Sequence, residues 1–215
     1  MTSLPPDTWS FVHHHHAWFT TDTVDFSYVT LALFAAKLTE ELGEFAETQA
    51  PGTNPKTQAA FSLQDAAHEL CDITTTALMA LCEAVEDPET FAEDPEAFYA
   101  HYTTSSDARQ CAATLCAPML LTALAVQIGR VGDALSGVTG FTPRKRVYCD
   151  DAELATRLCA VAHTSTRGLG LLVEDPGDFM AAHLQRGEAR RLAAMAPPPS
   201  ASSASCLAPR GAASR

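Results

Sequence analysis

Four carboxylate side chains occur as two pairs whose members stand three residues apart. Glu41 and Glu44 form the first pair, and Glu69 and Asp72 form the second. Residues three apart are neighbours on one face of a helix, and both pairs border an apolar stripe. If the two helices lie antiparallel, the acids meet in one groove, where repulsion and burial raise their pKa values. A hard divalent cation with oxygen ligands relieves that repulsion, so the pattern predicts a Mg²⁺ site, with Mn²⁺ as a substitute.

The segments that carry the two pairs have the periodicity of long helices. Apolar residues recur at spacings of three and four over 24–49, where a proline and a glycine end the run. A second helix is predicted over 62–84, with Ser62 and Asp65 as a capping pair. Because strand-like alternation is absent, we expect an all-α helical bundle. Further helices are predicted over 89–102, 107–135 with a kink at Pro118, 151–172 and 176–194.

A recurring element indicates an internal duplication. Residues 85–91 (VEDPETF) recur as residues 173–179 (VEDPGDF), and at the same offset Leu70 corresponds to Leu158. Similarity at a fixed offset is typical of repeated units, so we expect two helical hairpins of similar design that pack together. Chance similarity of two Ala- and Leu-rich stretches is the alternative.

The two halves differ in their acids. The second half has kept the apolar positions and lost most of the carboxylates, so we expect one metal site in the first half. The second half would form its wall and supply cations to it. The corresponding positions are Glu41 and Arg130, Glu44 and Asp133, Glu69 and Arg157, and Asp72 and Ala160.

The patterns divide the chain into four parts. The stretch after residue 196 is rich in Pro, Ser and Ala and buries too little apolar surface to offset its ordering entropy. The predicted parts are an N-terminal extension at 1–17, a repeat with the metal site at 18–104, a degenerate repeat at 105–195 and a disordered tail at 196–215.

The two acidic segments resemble a known family. KLTEELGEFAE at 37–47, followed by HELCDITT at 68–75, is similar to the signature of the MazG-like, all-α nucleotide pyrophosphatase superfamily, which is EExxE and a later ExxD. The resemblance covers residues 24–84. The acid-poor second half is similar to the dimeric dUTPase branch, in which one chain holds an intact and a degenerate repeat. The long N-terminus and the lack of a substrate-defining motif depart from the family pattern.

The resemblance implies a hydrolase that converts a (d)NTP to the monophosphate and pyrophosphate, in nucleotide-pool sanitation or balancing. All four acids would hold the Mg²⁺, which would neutralise phosphate charge. Glu41 or Glu44 would deprotonate the attacking water, and Glu40 would be an auxiliary group at the edge of the site.

Cationic residues are candidate contacts to the substrate phosphates. Lys37 stands four residues before Glu41, so it either binds phosphate or pairs with that acid. A dense basic cluster in a later loop is either a phosphate contact or a solvated loop. The candidates are Lys37, Lys56, Arg130, Arg144, Lys145, Arg146 and Arg157.

The N-terminal stretch holds four consecutive histidines, His13–His16, between aromatic residues. Metal binding by the histidines and base stacking by Trp9 or Trp18 are alternatives. The pattern favours aromatic residues that pin this segment onto the bundle.

Composition and charge indicate a globular cytoplasmic protein. A formal net charge of -12 would repel nucleic acid. The seven cysteines form no CxxC pair, and we expect Cys71, Cys82 and Cys159 to be reduced core residues. Neither a signal peptide nor an apolar stretch that approaches the roughly 20 residues of a membrane span is expected. A homodimer is left open.

Two other classes of protein compete with the pyrophosphatase. A di-iron carboxylate bundle requires ExxH motifs, whereas His68 directly precedes Glu69. The non-enzymatic alternative is a helical interaction module of the same family that has lost catalysis.

Overall fold

The computed structural model of the chain is all-helical in the residues that it describes, apart from one isolated bridge between Thr53 and Ala60. The all-α class predicted from apolar periodicity is confirmed. The described residues are 4–5, 7–20, 27–55, 57–85, 117–141 and 150–195. The helices are α1 (Thr8–Thr20), α2 (Ser27–Gln49), α3 (Leu63–Ala84), α4 (Ala117–Val138), α5 (Asp151–Leu172) and α6 (Pro176–Met195).

Helix α3 is the centre of the bundle. It packs most extensively on α5 and α2, while α4 packs on α5 and α2 from the other side. Every residue of α3 from 73 to 82 is buried, and a helix that is buried all round must be covered on each flank. Its fully buried leucines and isoleucine form the middle of the core together with Phe45 from α2 and Leu158 from α5.

The start of α3 is fixed by the capping box predicted from Ser62 and Asp65. The Asp65 amide donates to Ser62 Oγ at 3.1 Å, and the Ser62 amide donates to Asp65 Oδ2 at 2.8 Å. This reciprocal pair satisfies two amides that a helix start leaves without helical partners. The cap therefore sets the register of α3, and with it the direction of Glu69 and Asp72.

A buried hydroxyl pair links α3 to α5. Thr74 Oγ1 and Ser165 Oγ lie 2.7 Å apart, and both residues are buried. Each hydroxyl also reaches a carbonyl of its own helix, Leu70 O at 2.8 Å and Val161 O at 3.0 Å. Because all of these polar atoms find partners, the bundle keeps them inside without the cost of an unsatisfied group.

Helices α1 and α6 cover the remaining flank of α3. Helix α1 packs on α3 and α6, and α6 also contacts α3 and α5. The two cross closely at Gly187, where an added Cβ would lie 2.9 Å from Phe11 Cε2. Trp9 and Val12 are buried in the common core, so the prediction that aromatic residues pin the N-terminal segment is confirmed, although no helix was predicted there.

Helix ends agree with the periodicity to within a few residues wherever the structure describes them. The predicted helix at 89–102 and the first ten residues of the one at 107–135 lie outside the described residues. Pro118 is the second residue of the described part of α4, so the predicted kink lies at its edge.

The aligned helices α3 and α5 end in the same way. Each is followed by an extended valine, Val85 or Val173, whose amide donates to the carbonyl four residues earlier. The duplication itself stays a prediction, since most of its recurring element at 86–91 is outside the described residues.

The cysteines agree with the sequence prediction, whereas one apolar helix does not. Cys71, Cys82 and Cys159 are buried and free, as predicted, and burial raises the pKa of the Cys82 thiol to about 12. The prediction that no apolar stretch is long enough to span a membrane is wrong for Met119–Val138, which is long and apolar enough by length and composition. Core helices of soluble proteins meet the same two criteria, and 39% of this stretch is buried.

The close packing of α5 against α4 predicts how two glycine substitutions change the free energy of unfolding. An added Cβ at Gly168 would lie 2.6 Å from Leu120 Cδ2, whereas at exposed Gly170 its nearest contact is at 4.0 Å. We expect Gly168→Ala to lower the free energy of unfolding by about 1 kcal/mol, since overpacking of about 1–3 kcal/mol exceeds the gain in helix propensity. The control Gly170→Ala should raise it by up to about 1 kcal/mol. Urea unfolding that ranked the two variants equally would contradict this packing.

Candidate metal centre and its two clefts

Three carboxylates from α2 and α3 meet at the centre of the site. One oxygen each from Glu41, Glu69 and Asp72 lies within 4.8 Å of the other two. Opposite ligands of a bound Mg²⁺ are about 4.2 Å apart, so the three oxygens are within reach of one hydrated cation. The all-oxygen donor set fits a hard divalent cation, and the predicted convergence of the two acidic pairs is found for three of the four acids.

Glu44, the fourth predicted acid, lies beside these three carboxylates. It is one turn after Glu41 on α2 and is half-buried. Its charge contributes to raising the pKa of Glu41, and it lines both of the clefts that adjoin the site. Glu44 therefore faces the space next to the cation position.

Glu41 is buried and forms an ion pair with Lys37. Burial raises the pKa of the Glu41 carboxyl, Lys37 opposes this with a hydrogen bond, and the charges of Asp72 and Glu44 raise it further. Lys37 Nζ lies 2.6 Å from Glu41 Oε1 and 3.1 Å from Glu40 Oε1. Of the two interpretations of Lys37, the structure contains the ion pair.

The ion pair also changes the pKa of Lys37. Its own burial lowers the pKa of Lys37, but the hydrogen bonds to Glu41 and Glu40 outweigh that effect and raise it. Glu40 is exposed on the rim of a cleft, at the edge of the site where an auxiliary group was expected. Lys37 therefore stays charged and neutralises part of the acidic cluster.

Helix α6 contributes residues that the sequence did not reveal. His183 Nε2 lies 3.0 Å from Asp72 Oδ1, and His183 Nδ1 lies 3.2 Å from His68 Nδ1. Arg186 Nη2 lies 3.4 Å from His68 Nε2. Burial, followed by the charges of His183 and Arg186, lowers the pKa of His68. The spacing of three between His183 and Arg186 was the only local signal of a common helix face.

Two clefts meet at the carboxylates. The larger one has a volume of about 930 Å³ and is lined by aromatic side chains of α1 and α2. The smaller one has a volume of about 610 Å³ and is lined mostly by polar and charged residues. Both volumes are in the range of small-molecule sites, about 300–1,000 Å³. The residues shared by the two clefts are Glu44, Asp72, His183 and Arg190.

The aromatic wall of the larger cleft comes mainly from α1. Trp18 and Phe19 are 39% and 47% exposed, so their rings face the opening, and their centroids are 5.1 Å apart. Phe11 and Phe34 complete the wall. Trp9, the other candidate for base stacking, is buried and is not among the lining residues.

The histidine run of α1 is used structurally. His15 stacks on Phe11 with centroids 3.7 Å apart, and its Nδ1 lies 3.2 Å from the Phe11 carbonyl. His16 Nε2 lies 2.9 Å from Glu83. In the described part of the chain, no cluster with metal-binding geometry includes a histidine of this run.

Two of the predicted cations do not reach the clefts. Arg157 forms an ion pair with Glu153 at 2.6 Å within α5, and neither Arg157 nor Arg130 lines either cleft. The prediction that these two arginines serve the site is therefore corrected, because α4 and α5 bring neither guanidinium to a cleft. Helix α6 supplies the cations instead, with Arg190 and Arg186. Lys56, Arg144, Lys145 and Arg146 lie outside the described residues.

No family model, curated protein or solved structure matches this chain. The MazG-like resemblance therefore stays a prediction that depends on the two acidic segments.

The burial of Glu41 predicts a pH dependence of stability in the metal-free protein. Its pKa is raised above the ordinary 4.5, so near that pH the folded state holds a proton that the unfolded state loses. The stability contribution is complete below 4.5 and is lost as the pH rises through the folded pKa. Relative to Glu41→Gln, the wild type should therefore lose free energy of unfolding over this range.

Urea unfolding of both proteins at a series of pH values measures this difference. The exposed neighbour variant Glu47→Gln is the control for the substitution itself. A wild type that gained free energy of unfolding relative to Glu41→Gln as the pH rose would contradict the burial of an unfavourable carboxylate.

Proposed function

We propose that the protein is a Mg²⁺-dependent nucleoside triphosphate pyrophosphohydrolase that converts a (d)NTP to a (d)NMP and pyrophosphate. The observation that carries this proposal is the meeting of Glu41, Glu69 and Asp72 where an aromatic cleft joins a polar one. A nucleotide has the same arrangement, with an aromatic base at one end and phosphates that need cations at the other. A location in the cytoplasm and a role in nucleotide-pool balance belong to the same proposal.

The metal would be held by the three converging carboxylates. When bound, Mg²⁺ neutralises phosphate charge and stabilises the leaving pyrophosphate. Arg190 faces the junction of the clefts, and Arg186 faces the polar one, where both can contact phosphate oxygens. These two arginines take the place that the sequence gave to Arg130 and Arg157.

Glu44 is the best placed residue to activate water. It borders both clefts, whereas Glu41 is buried and engaged with Lys37. As a base, Glu44 takes one proton from the water whose oxygen bonds to the α-phosphorus. The bond from that phosphorus to the bridging oxygen then breaks, and pyrophosphate leaves with the electron pair.

The aromatic cleft would hold the base and sugar. Exposed rings of Trp18 and Phe19 offer stacking surfaces, which bind any nucleobase through its π-face. Stacking gives affinity for a base, but it does not distinguish one base from another. The proposal therefore covers nucleoside triphosphates as a class.

The first test is the hydrolysis of a panel of NTPs and dNTPs with Mg²⁺. We expect pyrophosphate release, with label from isotopic water in the monophosphate. Glu41→Gln and Asp72→Asn should each lower kcat/KM by about 100-fold or more, the size expected when charge stabilisation of a transition state is lost.

The control is Asp133→Asn, an exposed acid of α4 that corresponds to Glu44 in the second half. It should keep wild-type activity. Normal activity in Glu41→Gln and Asp72→Asn would rule out this metal site. A folded wild type that hydrolyses no nucleotide would favour the helical interaction module.

The second test concerns the base. Trp18→Ala should raise KM by about tenfold with kcat nearly unchanged, because stacking on an aromatic ring contributes about 1–3 kcal/mol to base binding. Phe141→Ala is the control, since Phe141 is 88% exposed and lines neither cleft. An unchanged KM in Trp18→Ala would place the base elsewhere.

A further inference from the structure

A chain of hydrogen bonds connects α6 to the candidate metal centre through two histidines that have no part in the hydrolysis described above. His183 is buried, with 5% of its surface exposed, and it stands between Asp72 and His68. Arg186, one turn later on α6, lies against both nitrogens of the His68 ring. These four side chains come from two helices whose contacting residues are more than 100 positions apart in the sequence.

The donors and acceptors of this chain can be assigned from Asp72. An ionised Asp72 carboxylate only accepts, so His183 Nε2, at 3.0 Å, donates to it. At the other end, Arg186 Nη2 lies 3.3 Å from Nδ1 and 3.4 Å from Nε2 of His68, so its position does not select one ring nitrogen. The bond to Asp72 therefore sets the direction of the bond that follows it.

The middle bond follows from the bond to Asp72. A neutral His183 that carries its hydrogen on Nε2 has an acceptor at Nδ1. The two Nδ1 atoms lie 3.2 Å apart, which fits a hydrogen bond donated by His68 Nδ1. This tautomer leaves His68 Nε2, 3.4 Å from Arg186 Nη2, as the acceptor of its ring. The opposite tautomers would turn the lone pair of His183 Nε2 towards the Asp72 carboxylate.

We propose that His183 is a positioning residue for the metal ligand Asp72, held in one tautomer by its hydrogen bonds to Asp72 and His68. The inference rests on the proposed function only in taking Glu41, Glu69 and Asp72 as the ligands. By occupying Asp72 Oδ1, His183 restricts the rotation of the carboxylate that meets Glu41 and Glu69. A site whose ligands all come from the first half of the chain then depends on a helix of the second half.

Nitrogen-15 NMR of the histidine rings in the metal-free protein tests the tautomers directly. Well above the ordinary histidine pKa, we expect His183 as the Nε2–H form and His68 as the less common Nδ1–H form. The His68 signal should revert to the common tautomer in His183→Leu, which removes the acceptor of its Nδ1–H. Two Nε2–H rings in the wild type would overturn the proposal.

Two substitutions at His183 separate its two bonds. The amide nitrogen of His183→Gln reaches about as far as Nε2, so it keeps the bond to Asp72. The amide of His183→Asn reaches only as far as Nδ1, so it keeps the contact to His68 and loses Asp72. Mn²⁺ is the probe, and its dissociation constant is measured by electron paramagnetic resonance. We expect His183→Asn to bind Mn²⁺ about 10–100-fold more weakly, with His183→Gln near wild type.

The control is His14→Gln on the exposed face of α1, and thermal unfolding shows which variants are folded. Equal Mn²⁺ affinity in His183→Asn and wild type would overturn the proposal. Equal losses of affinity in His183→Asn and His183→Gln, with matching losses of Tm, would also overturn it in favour of a merely structural role.

The two proposals fail separately. A wild type with the expected tautomers and Mn²⁺ ranking that hydrolyses no nucleotide would disprove the pyrophosphatase alone. Nucleotide hydrolysis that requires Glu41 and Asp72 but is accompanied by the wrong tautomers would disprove the positioning role alone.

Discussion

The burial of Glu41 among other carboxylates is the constraint to which the rest of the site responds. A carboxylate removed from water and placed near Asp72 and Glu44 disfavours its charged form, as the raised pKa of Glu41 reflects. Lys37 offsets part of this cost from the same helix, and His183 donates to Asp72 from α6. The acidic cluster therefore receives a positive charge from α2 and a hydrogen-bond donor from α6.

The central position of α3 explains why donors and aromatic rings gather there. A helix buried over ten successive residues, 73 to 82, needs cover on the flank that α2 and α5 leave open. Helices α1 and α6 supply that cover, and they cross closely at Gly187 beside α3, where His183 of α6 reaches Asp72. The packing that completes the core thus also brings Trp18 and Arg190 to the clefts.

The helices and the acidic cluster could be predicted because their signals are local. Apolar spacing gives the helices, and a spacing of three gives the shared face of Glu41 and Glu44 and that of Glu69 and Asp72. Helix α1 was missed although its buried residues Thr8, Trp9, Val12 and His15 have helical spacing. Polar residues on its inner face hide the apolar stripe on which periodicity depends.

The contribution of α6 could not be predicted, since it depends on tertiary packing. Nothing near His183 in the sequence indicates that it meets Asp72, more than 100 positions away. Alignment of the two halves gave Arg130 and Arg157 as the cations, because alignment finds positions and not the side of the bundle on which they lie. Arg157 pairs with Glu153 in its own helix. The position of each helix around α3 decides which residues reach the site, and an alignment of the two halves does not contain that information.

The free-energy cost of burying the Glu41 carboxylate also helps to distinguish an enzyme from an interaction module. A bundle that only displayed a surface would gain stability from an uncharged side chain at this buried position, since a desolvated carboxylate opposes folding. A cation bound by Glu41, Glu69 and Asp72 reverses the sign of that effect, because it interacts most strongly with the ionised forms. The same carboxylate that weakens the metal-free fold therefore favours the folded state once a cation is bound. A buried carboxylate at this position is thus more favourable in a protein whose working state contains the metal.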